Sequence, residues 1–493
     1  MIFSKITMQL PSEFISSIQP LLRENTEAFL SSFSEETPVS IRLNPLKNRR
    51  NPLSLSAENE KVKWSDVGYC LQKRPSFTFD PLFHAGYYYV QEAASMFIEH
   101  IVRQLIDNPV RALDLCAAPG GKSVTLLSTL PEGSLLVSNE IIRQRANVLA
   151  ETMTKFGNPN VLVTNNAPKD FAAFPQFFDV ILVDVPCSGE GMFRKDEVAV
   201  QEWSLANVQM CAVRQREILR DVWTALKPNG ILIYSTCTYN VTENEENARW
   251  IADELGAEFI SVKTEIEWGI SPSFDNETVG YRFFPHKTKG EGLFVTVLRK
   301  NNRHCENSRH CGTESSSADP QPQKRKQRLR TSASLSNQVK PAMTSHESVR
   351  AFLKTPETFD FIEENNRLFA FPKTHSELFF SFRERLKTLT TGIEIGERKG
   401  KDFIPSHSLA MSTELCENVF PKCEISYEQA IAYLRKETIV LENAPKGFVL
   451  LTFKNEPLGF VKNLGNRANN LYPQEWRIRS GYLPKEDIKV LSK

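Results

Sequence analysis

The chain has 493 residues, of which 41% are hydrophobic and 24% are charged, and its formal net charge at pH 7 is +1. This length exceeds one ordinary hydrophobic core, so two or three domains are expected. The balanced charge excludes attraction of nucleic acid by the whole protein surface, so any site for a nucleic acid must be a local patch.

Neither a membrane span nor a disulfide framework is predicted. No apolar run approaches the roughly 20 residues that cross a bilayer, and the start of the chain, MIFSKITMQLPSEF, lacks the apolar stretch of a signal peptide. The nine cysteines are an odd number scattered through a long chain, which is typical of a reducing compartment. We therefore expect a cytoplasmic protein with no membrane partner, for which a monomer suffices.

The first region, residues 1–95, mixes helical and extended patterns. Residues 11–33 (PSEFISSIQPLLRENTEAFLSSF) have a helical pattern, and residues 40–47 (SIRLNPLK) are strand-like. An α+β region is therefore predicted here.

In the second region, residues 96–300, short apolar strands alternate with amphipathic segments. The predicted strands are VRALDLC, GSLLVSNE, NVLVTN, FDVILVDVP and GILIYSTC, and LFVTVLRK at 293–300 closes the domain. This alternation predicts an α/β fold with a mostly parallel sheet covered by helices on both faces.

The last two regions differ sharply in composition. Residues 301–345 are polar and poor in aromatic residues, so we predict a flexible linker, whose basic run QPQKRKQRLR can touch phosphates or be simply solvated. Residues 346–493 end in β-rich alternation, with Arg and Lys interleaved with Tyr and Trp. A small β-domain that presents basic side chains and aromatic rings to RNA has this pattern. An ordinary β-barrel with a charged surface has the same pattern.

A candidate ligand loop lies where the first strand of the second region passes into a helix. It follows Asp114, and its members are Cys116, Ala117, Ala118, Pro119, Gly120, Gly121 and Lys122. A phosphate-binding loop needs a glycine five residues before Gly121, where Cys116 stands, and the dinucleotide pattern GxGxxG is missing too. The loop therefore fits neither nucleotide motif but occupies the usual ligand position of an open α/β sheet.

Polar residues follow the next two strands. Glu140 ends LLVSNE, where its carboxylate can accept hydrogen bonds from both ribose hydroxyls of a nucleoside cofactor. Capping of a helix start is the alternative role for this residue. Asn165 and Asn166 end the third strand, where amide groups can read an adenine edge.

Two cysteines and an aspartate complete the candidate site. Asp184 and Cys187 leave the fourth strand, and Cys237 leaves the fifth. An isolated cysteine in a strand is usually a small buried hydrophobe. Two of them at the ligand edge of one sheet instead favour a shared chemical role, with Asp184 beside them.

Three motifs carry a family resemblance. CAAPGGK at 116–122, DVPCSGEGMFRKD at 184–196 and STCTYNVTENE at 235–245 closely resemble the RNA cytosine-C5 methyltransferase family, and the nearest branch is the bacterial RsmF-like enzymes of 16S ribosomal RNA. Residues 42–44 (RLN) and 89–96 (YVQEAASM) resemble the amino-terminal signatures of that family. The similarity covers about residues 35–300 with high specificity and extends more loosely to the end of the chain.

The resemblance implies a Rossmann-like core that depends on S-adenosylmethionine, preceded by an α+β RNA-binding region and followed by a PUA-like β-rich domain in residues 346–493. It implies that the CAAPGGK loop, Glu140 and Asp184 contact the cofactor or the target base. Many relatives have an acidic residue near the end of the third strand, where this chain has Asn165 and Asn166, so Asn166 is the predicted cofactor contact there.

The same resemblance makes Cys237 the nucleophile and assigns Cys187 to product release. DNA cytosine methyltransferases instead use a Pro-Cys nucleophile, and the thiol in TCTYN with RKD at 194–196 favours the RNA assignment. A thiolate that adds to cytosine C6 turns C5 into a carbon nucleophile, and a hydrogen bond or proton at N3 eases this addition, which suits Asp184. The adduct must then lose its C5 proton and expel the thiol, which calls for a base or a second thiol.

The expected partner is 16S rRNA or the small ribosomal subunit. A transfer RNA methyltransferase and a ribosome-assembly factor without catalysis are the alternatives. Lys195, in the RKD tripeptide, is a candidate for contact with RNA. No metal is expected, because the His-Cys pairs at 304–305 and 310–311 lack the usual zinc spacing. Cys416 and Cys423 are interpreted as structural or incidental.

Overall fold

The computed structural model of the protein describes residues 10–49, 53–302, 347–400, 402–442 and 444–482, together with residues 484, 488, 490 and 491. Most of the predicted linker, with its basic run and both His-Cys pairs, lies outside the described residues. No helix in the described ranges is long and apolar enough to cross a bilayer.

The N-terminal region contains an antiparallel sheet in the order β2-β3-β1-β4. Its elements are α1 (Ser12–Leu22), α2 (Thr26–Ser32), β1 (Val39–Leu43), α3 (Pro45–Asn48), β2 (Glu60–Lys61), β3 (Gly68–Leu71), α4 (Pro81–His84) and β4 (Tyr88–Val90). The helical pattern of residues 11–33 is confirmed as α1 and α2, joined by a 3₁₀ turn. The strand pattern of 40–47 is right only as far as Leu43, because Asn44 then accepts a hydrogen bond from Leu46 N (3.1 Å) and caps α3.

A mixed sheet of ten strands forms the centre of the molecule, in the order β11-β12-β13-β9-β8-β5-β6-β7-β16, with β10 beside β13. Its strands up to residue 300 are β5 (Arg111–Asp114), β6 (Leu135–Asn139), β7 (Val161–Thr164), β8 (Phe178–Asp184), β9 (Leu226–Thr236), β10 (Ala257–Phe259), β11 (Ser271–Pro272), β12 (Gly280–Phe283) and β13 (Leu293–Lys300). The five strands from β9 to β7 are parallel, as the sequence predicts, and β10–β13 add antiparallel neighbours.

Helices cover both faces of this sheet, which confirms the α/β prediction. They are α5 (Phe97–Leu105), α6 (Gly121–Thr129), α7 (Arg143–Phe156), α8 (Glu197–Glu202), α9 (Leu205–Trp223) and α10 (Glu245–Leu255). Consecutive strand residues point to opposite faces. Ala112 packs with α5, α6 and α7 on one side, and Leu113 packs with α9 and α10 on the other.

The region after residue 346 builds two further four-stranded sheets. The elements are α11 (Glu347–Arg350), β14 (Phe359–Glu364), β15 (Arg367–Pro372), α12 (Ser376–Arg385), β16 (Thr388–Thr391), β17 (Ile393–Lys399), β18 (Asp402–Pro405), α13 (His407–Met411), β19 (Lys422–Glu424), α14 (Tyr427–Leu434), β20 (Gly447–Phe453), β21 (Glu456–Asn463) and β22 (Ala468–Asn470). One sheet is β14-β15-β17-β18 and the other is β19-β20-β21-β22. The β-rich prediction for the end of the chain is confirmed.

One strand from this last region joins the central sheet. β16 pairs antiparallel with β7, with Thr388 opposite Thr164. The central sheet therefore continues past residue 300, beyond the limits that the alternating pattern suggests, while the domain limits themselves remain a prediction.

Two aromatic residues near the end of the chain pack against other side chains of the protein, whereas Tyr482 is 65% exposed. Tyr472 is buried in the core shared with the N-terminal region. Trp476 is half-buried, with its ring 5.3 Å from the ring of His407 and 5.6 Å from Lys155 Nζ. The alternative in which the aromatic rings of this segment face RNA therefore does not hold for Tyr472, because its ring lies in that shared core.

Candidate active site

The predicted site residues converge at the carboxyl edge of the parallel strands. The register places Asp114 opposite Ser138 and Leu182, and Asp184 opposite Ser235. Because these strands end at one level, the loops that follow them meet at one edge of the sheet.

The two thiols of the site are in contact. Cys187 Sγ lies 3.0 Å from Cys237 Sγ, and Cys237 N donates a hydrogen bond to Cys187 Sγ (3.3 Å). Both cysteines are free and half-buried. The hydrogen bond with Cys237, together with burial, raises the pKa of the Cys187 thiol well above its ordinary value. Cys187 therefore keeps its proton, and its S–H can donate to Cys237 Sγ.

Asp184 lies between a cation and a hydroxyl group. Its Oδ2 is 2.8 Å from Lys122 Nζ, and its Oδ1 accepts a hydrogen bond from Ser235 Oγ (2.7 Å). Burial opposes the charge of Lys122, but the negative charge of Asp184, its hydrogen bond with Lys122 and neighbouring charges together outweigh burial, so the pKa of Lys122 is raised. Lys122, predicted as a cofactor contact, is thus an ammonium group directed at Asp184, a pairing that no spacing in the sequence signals.

The candidate ligand loop is held from outside by α7. Arg145 Nη2 donates to Ala118 O (2.7 Å) and Thr152 Oγ1 donates to Pro119 O (2.9 Å). Gly120 has φ +118°, and a Cβ there would lie 2.9 Å from Thr152 Cγ2, so the position requires glycine. Burial raises the pKa of the Cys116 thiol well above its usual range, and this cysteine stays a neutral thiol within the loop.

Beneath the loop lies a buried carboxyl group with an unused acceptor. Asp114 Oδ2 accepts from Ser123 Oγ (2.6 Å), whereas Asp114 Oδ1 is buried and has no hydrogen-bond partner among the described residues. Burial raises the pKa of Asp114 to about 7. A free acceptor here fits a ligand with polar hydrogens, such as a nucleoside cofactor with an amino-acid tail.

Glu140 is buried close to the start of α7. Its Oε1 accepts from Ile142 N (2.9 Å) next to the start of α7, and its Oε2 lies 3.4 Å from Arg145 Nη1. The side chain is only 3% exposed, yet a carboxylate oxygen accepts more than one hydrogen bond. Glu140 therefore binds the N–H of the residue that precedes α7, and its contact with ribose hydroxyls remains a prediction.

The amide groups of Asn165 and Asn166 have protein partners. Asn165 Nδ2 donates to the carbonyls of Glu140 (2.8 Å) and Ile141 (2.9 Å). Asn166 Oδ1 accepts from Lys387 N (3.0 Å), and Asn166 Nδ2 donates to Asp170 Oδ2 (3.2 Å). The contact of Asn166 with the cofactor therefore remains a prediction. Its observed partner Lys387 belongs to the region beyond the linker.

Lys195, the candidate for contact with RNA, forms an ion pair within the protein. Lys195 Nζ is 3.2 Å from Glu291 Oε1, so contact with RNA would have to compete with an ion pair. Within the described ranges, no group of three or more His, Cys, Asp or Glu side chains is arranged to hold a metal ion.

Three family models match successive parts of the chain. Residues 104–299 match the family model described as 16S rRNA methyltransferase RsmB/F. Residues 10–93 match the N-terminal domain of 16S rRNA methyltransferase RsmF, and residues 420–478 match the RsmF PUA domain.

Relatives align over nearly the whole length. Ribosomal RNA small subunit methyltransferase F of Aliivibrio salmonicida is 29% identical, over 96% of this chain and 98% of that protein. The protein of the same name from Escherichia coli O81 is 28% identical, over 97% and 98%. A crystal structure of a methyltransferase homolog protein from Pyrococcus horikoshii shares the fold, with a TM-score of 0.50 and 24% identity over 60% of this chain and 100% of that chain.

The central fold and the model that matches it make this chain an S-adenosylmethionine-dependent methyltransferase of the Rossmann-like class. Two further models add an RsmF N-terminal domain before this central part and an RsmF PUA domain after it. In the order of its domains the chain is similar to the 16S rRNA methyltransferase RsmF, and the resemblance seen in its motifs is confirmed.

Proposed function

We propose that the protein transfers a methyl group to C5 of a cytosine in 16S rRNA through a covalent bond between Cys237 Sγ and C6 of the base. The observation that carries this proposal is the contact of two free thiols, 3.0 Å apart, at the edge of the sheet where Asp184 and the ligand loop also lie. The relatives named for the small-subunit RNA support the choice of 16S rRNA.

The residues proposed to hold the cofactor are the loop from Cys116 to Lys122, Glu140 and Asp184. Asn166 is included as the predicted contact at the end of β7. When bound, S-adenosylmethionine supplies a methyl group made electrophilic by its sulfonium. The free acceptor at Asp114 Oδ1 and the buried carboxylate of Glu140 support this fit.

The first step forms the Cys237–C6 bond. The target cytosine must leave its stack, because the thiolate approaches the face of the ring. As Sγ adds to C6, the C5–C6 π electrons move into the ring, and N3 takes a proton through Asp184, whose side chain is 32% exposed to water. Cys187, by keeping its own proton, favours the thiolate on Cys237 at this stage.

In the second step, C5 of the adduct attacks the methyl carbon, and the electron pair of the broken bond stays on the cofactor sulfur. Cys237 is now a thioether without charge. Cys187 then no longer faces a thiolate, and in this proposal it releases its proton to solvent and acts as the base.

The third step releases the product. Cys187 Sγ removes the proton from C5, the C5–C6 double bond re-forms, and the C6–S bond breaks with its electrons returning to Cys237 Sγ. The proton on N3 returns through Asp184. The pair of thiols ends as it began, and the net proton released is the one that the methyl group replaces.

The test is methyl transfer from labelled S-adenosylmethionine to small ribosomal subunits, naked 16S rRNA and bulk tRNA, with bisulfite mapping of the product. Protected cytosines in 16S rRNA are the expected result. Labelling of tRNA alone would support the proposed methylation of cytosine but would show that the substrate is tRNA and not 16S rRNA. Absence of labelling in every RNA would favour an assembly factor without catalysis.

We also propose that the enzyme acts as a monomer in the cytoplasm, where its free thiols stay reduced. Sedimentation of the purified protein with and without RNA tests the monomer, and a concentration-dependent dimer would contradict it.

A further inference from the structure

Glu190 connects the two loops that carry the thiols. It lies three residues after Cys187, and its Oε2 accepts hydrogen bonds from the backbone N–H groups of Tyr239 (2.6 Å) and Asn240 (3.0 Å). Both donors belong to the loop that begins at Cys237. The carboxylate of one thiol loop is therefore bound by the backbone of the other, and it is only 1% exposed.

Glu243 makes the reverse connection. It belongs to the loop after Cys237, and its Oε2 accepts from the backbone N–H of Ser188 (3.0 Å), the residue next to Cys187. The same oxygen accepts from Gln215 Nε2 (2.7 Å). Glu243 is 0% exposed, so these bonds are made out of water, where charge-assisted hydrogen bonds are strong.

Asn240 joins the two carboxylates. Its Nδ2 donates to Glu190 Oε1 (2.9 Å) and to Glu243 Oε1 (2.8 Å). Asn240 Oδ1 accepts from Glu243 N (2.8 Å). One amide thus bridges two buried acids that would otherwise repel each other.

We propose that Glu190 and Glu243 form a reciprocal clasp that fixes the spacing of the Cys187 and Cys237 thiols, and that Glu243 is a positioning residue for the release step. This inference rests on the proposed function, since release through Cys187 is part of it. Glu243 touches neither thiol, but it binds the N–H next to Cys187. A shift of that N–H moves the base away from the C5 proton.

Substitution of Glu243 by glutamine keeps the shape of the side chain and removes the clasp. Both carboxylate oxygens are acceptors, so the new amide N–H₂ faces a donor in either orientation. Gln215 cannot adapt by rotating its own amide, because its Oε1 accepts from Tyr234 Oη (2.9 Å) and Asn247 Nδ2 (2.7 Å). Its Nε2 also donates to Pro186 O (3.0 Å).

The experiment is a single turnover of the full-length enzyme with labelled S-adenosylmethionine and its RNA substrate. Covalent enzyme–RNA adduct is measured on a denaturing gel, and methylated RNA is measured as free product. The variants are Glu243→Gln, Glu190→Gln, Cys187→Ala and, as a matched control, Glu246→Gln, whose side chain is exposed three positions further on. Thermal unfolding of each variant is recorded alongside.

We expect Glu243→Gln to slow release by about tenfold, the factor for the loss of roughly one buried hydrogen bond, so that adduct accumulates relative to free product. Glu190→Gln behaves alike, and Glu246→Gln matches the native enzyme. A general loss of structure would instead lower adduct and product together.

Two results would overturn the clasp. One leaves the proposed function intact, and the other also rejects the proposed release step. An unchanged adduct-to-product ratio in Glu243→Gln, with adduct still trapped by Cys187→Ala, rejects the clasp and keeps the proposed function. Normal methylation by Cys187→Ala without any adduct rejects the proposed release step and the clasp with it.

Discussion

Lys122 Nζ lies 2.8 Å from Asp184 Oδ2, so an ion pair joins the ligand loop after the first strand of the central sheet to the acid after the fourth. This ion pair connects the residues proposed to hold the cofactor with the residue proposed to exchange a proton with the target cytosine. A cation at this position also lies near Cys237, whose negative charge as a thiolate favours the charged form of Lys122.

Loss of the Lys122 charge is expected to slow chemistry more than binding. Lys122→Met keeps much of the apolar stem but leaves Asp184 without its cation, so proton exchange at N3 and the thiolate on Cys237 both lose support. We expect the single-turnover rate of methyl transfer to fall roughly 10²-fold, the usual contribution of a positioned acid–base group. Lys122→Arg, as a charge-preserving control, should retain more activity, and equal rates for native and Lys122→Met would reject the role.

The two cysteines should give opposite phenotypes. Cys237→Ala should abolish methyl transfer, because no bond to C6 can form, whereas Cys187→Ala should trap an enzyme–RNA adduct before release. Adducts are scored on denaturing gels with native RNA and with RNA that contains 5-azacytidine. Cys416→Ala, a free thiol outside the site, serves as the control. Normal turnover by Cys187→Ala would contradict the two-thiol cycle.

Stability should fall in acid through two buried histidines. Burial lowers the pKa of His84 and of His407 from 6.5 to about 3. In the unfolded chain both bind protons below pH 6.5, whereas in the folded protein they stay neutral until about pH 3. Stability is therefore complete above pH 6.5 and declines as pH falls from 6.5 towards 3, by up to about 1.4 kcal/mol per histidine for each pH unit.

His407→Phe should weaken this pH dependence. Both ring nitrogens of His407 are buried without a hydrogen-bond partner among the described residues, and the ring packs 5.1 Å from that of Tyr472, so a phenyl ring fits the same contacts. Urea unfolding at pH 7 and pH 5 measures the effect. An equal loss of stability on acidification in native and variant protein would show that His407 does not contribute.

Cofactor affinity is expected to depend on Asn166 through the backbone of Lys387. Asn166→Leu removes the acceptor for Lys387 N and loosens the segment that precedes β16. We expect binding of S-adenosylmethionine, measured by calorimetry, to weaken about tenfold, as for the loss of one hydrogen bond. Lys387→Ala keeps the backbone N–H and should bind like the native protein. Weak binding by Lys387→Ala instead would mean that its charge is what matters.

The sequence predicts the core of the site because each of its residues is marked by the strand that directly precedes it in the chain. A buried strand followed by a chemically active residue occurs at Asp114, Glu140, Asp184 and Cys237, and parallel strands carry such residues to one edge. The order of these strands in the chain is sufficient for the prediction. No knowledge of side-chain contacts is needed.

The remaining features depend on contacts between distant parts of the chain. Asn166 meets Lys387 across 221 positions, and β16 reads TLTT, which lacks the apolar run of a buried strand. Glu190 and Glu243 lie in polar stretches that are typical of exposed loops. Their burial becomes favourable only because the backbone N–H groups of a second loop satisfy them, and a sequence does not reveal that pairing.

The strand β16 has a consequence for how the protein matures. Until residue 391 has left the ribosome, β7 is an open edge of the central sheet, with unpaired backbone groups of the kind that recruit foreign strands. The central sheet of the nascent chain is therefore completed only when β16 has been synthesised, long after β13. Folding of the catalytic part is tied to synthesis of the C-terminal region, and a chain interrupted near residue 302 would emerge with a sheet one strand short and prone to self-association.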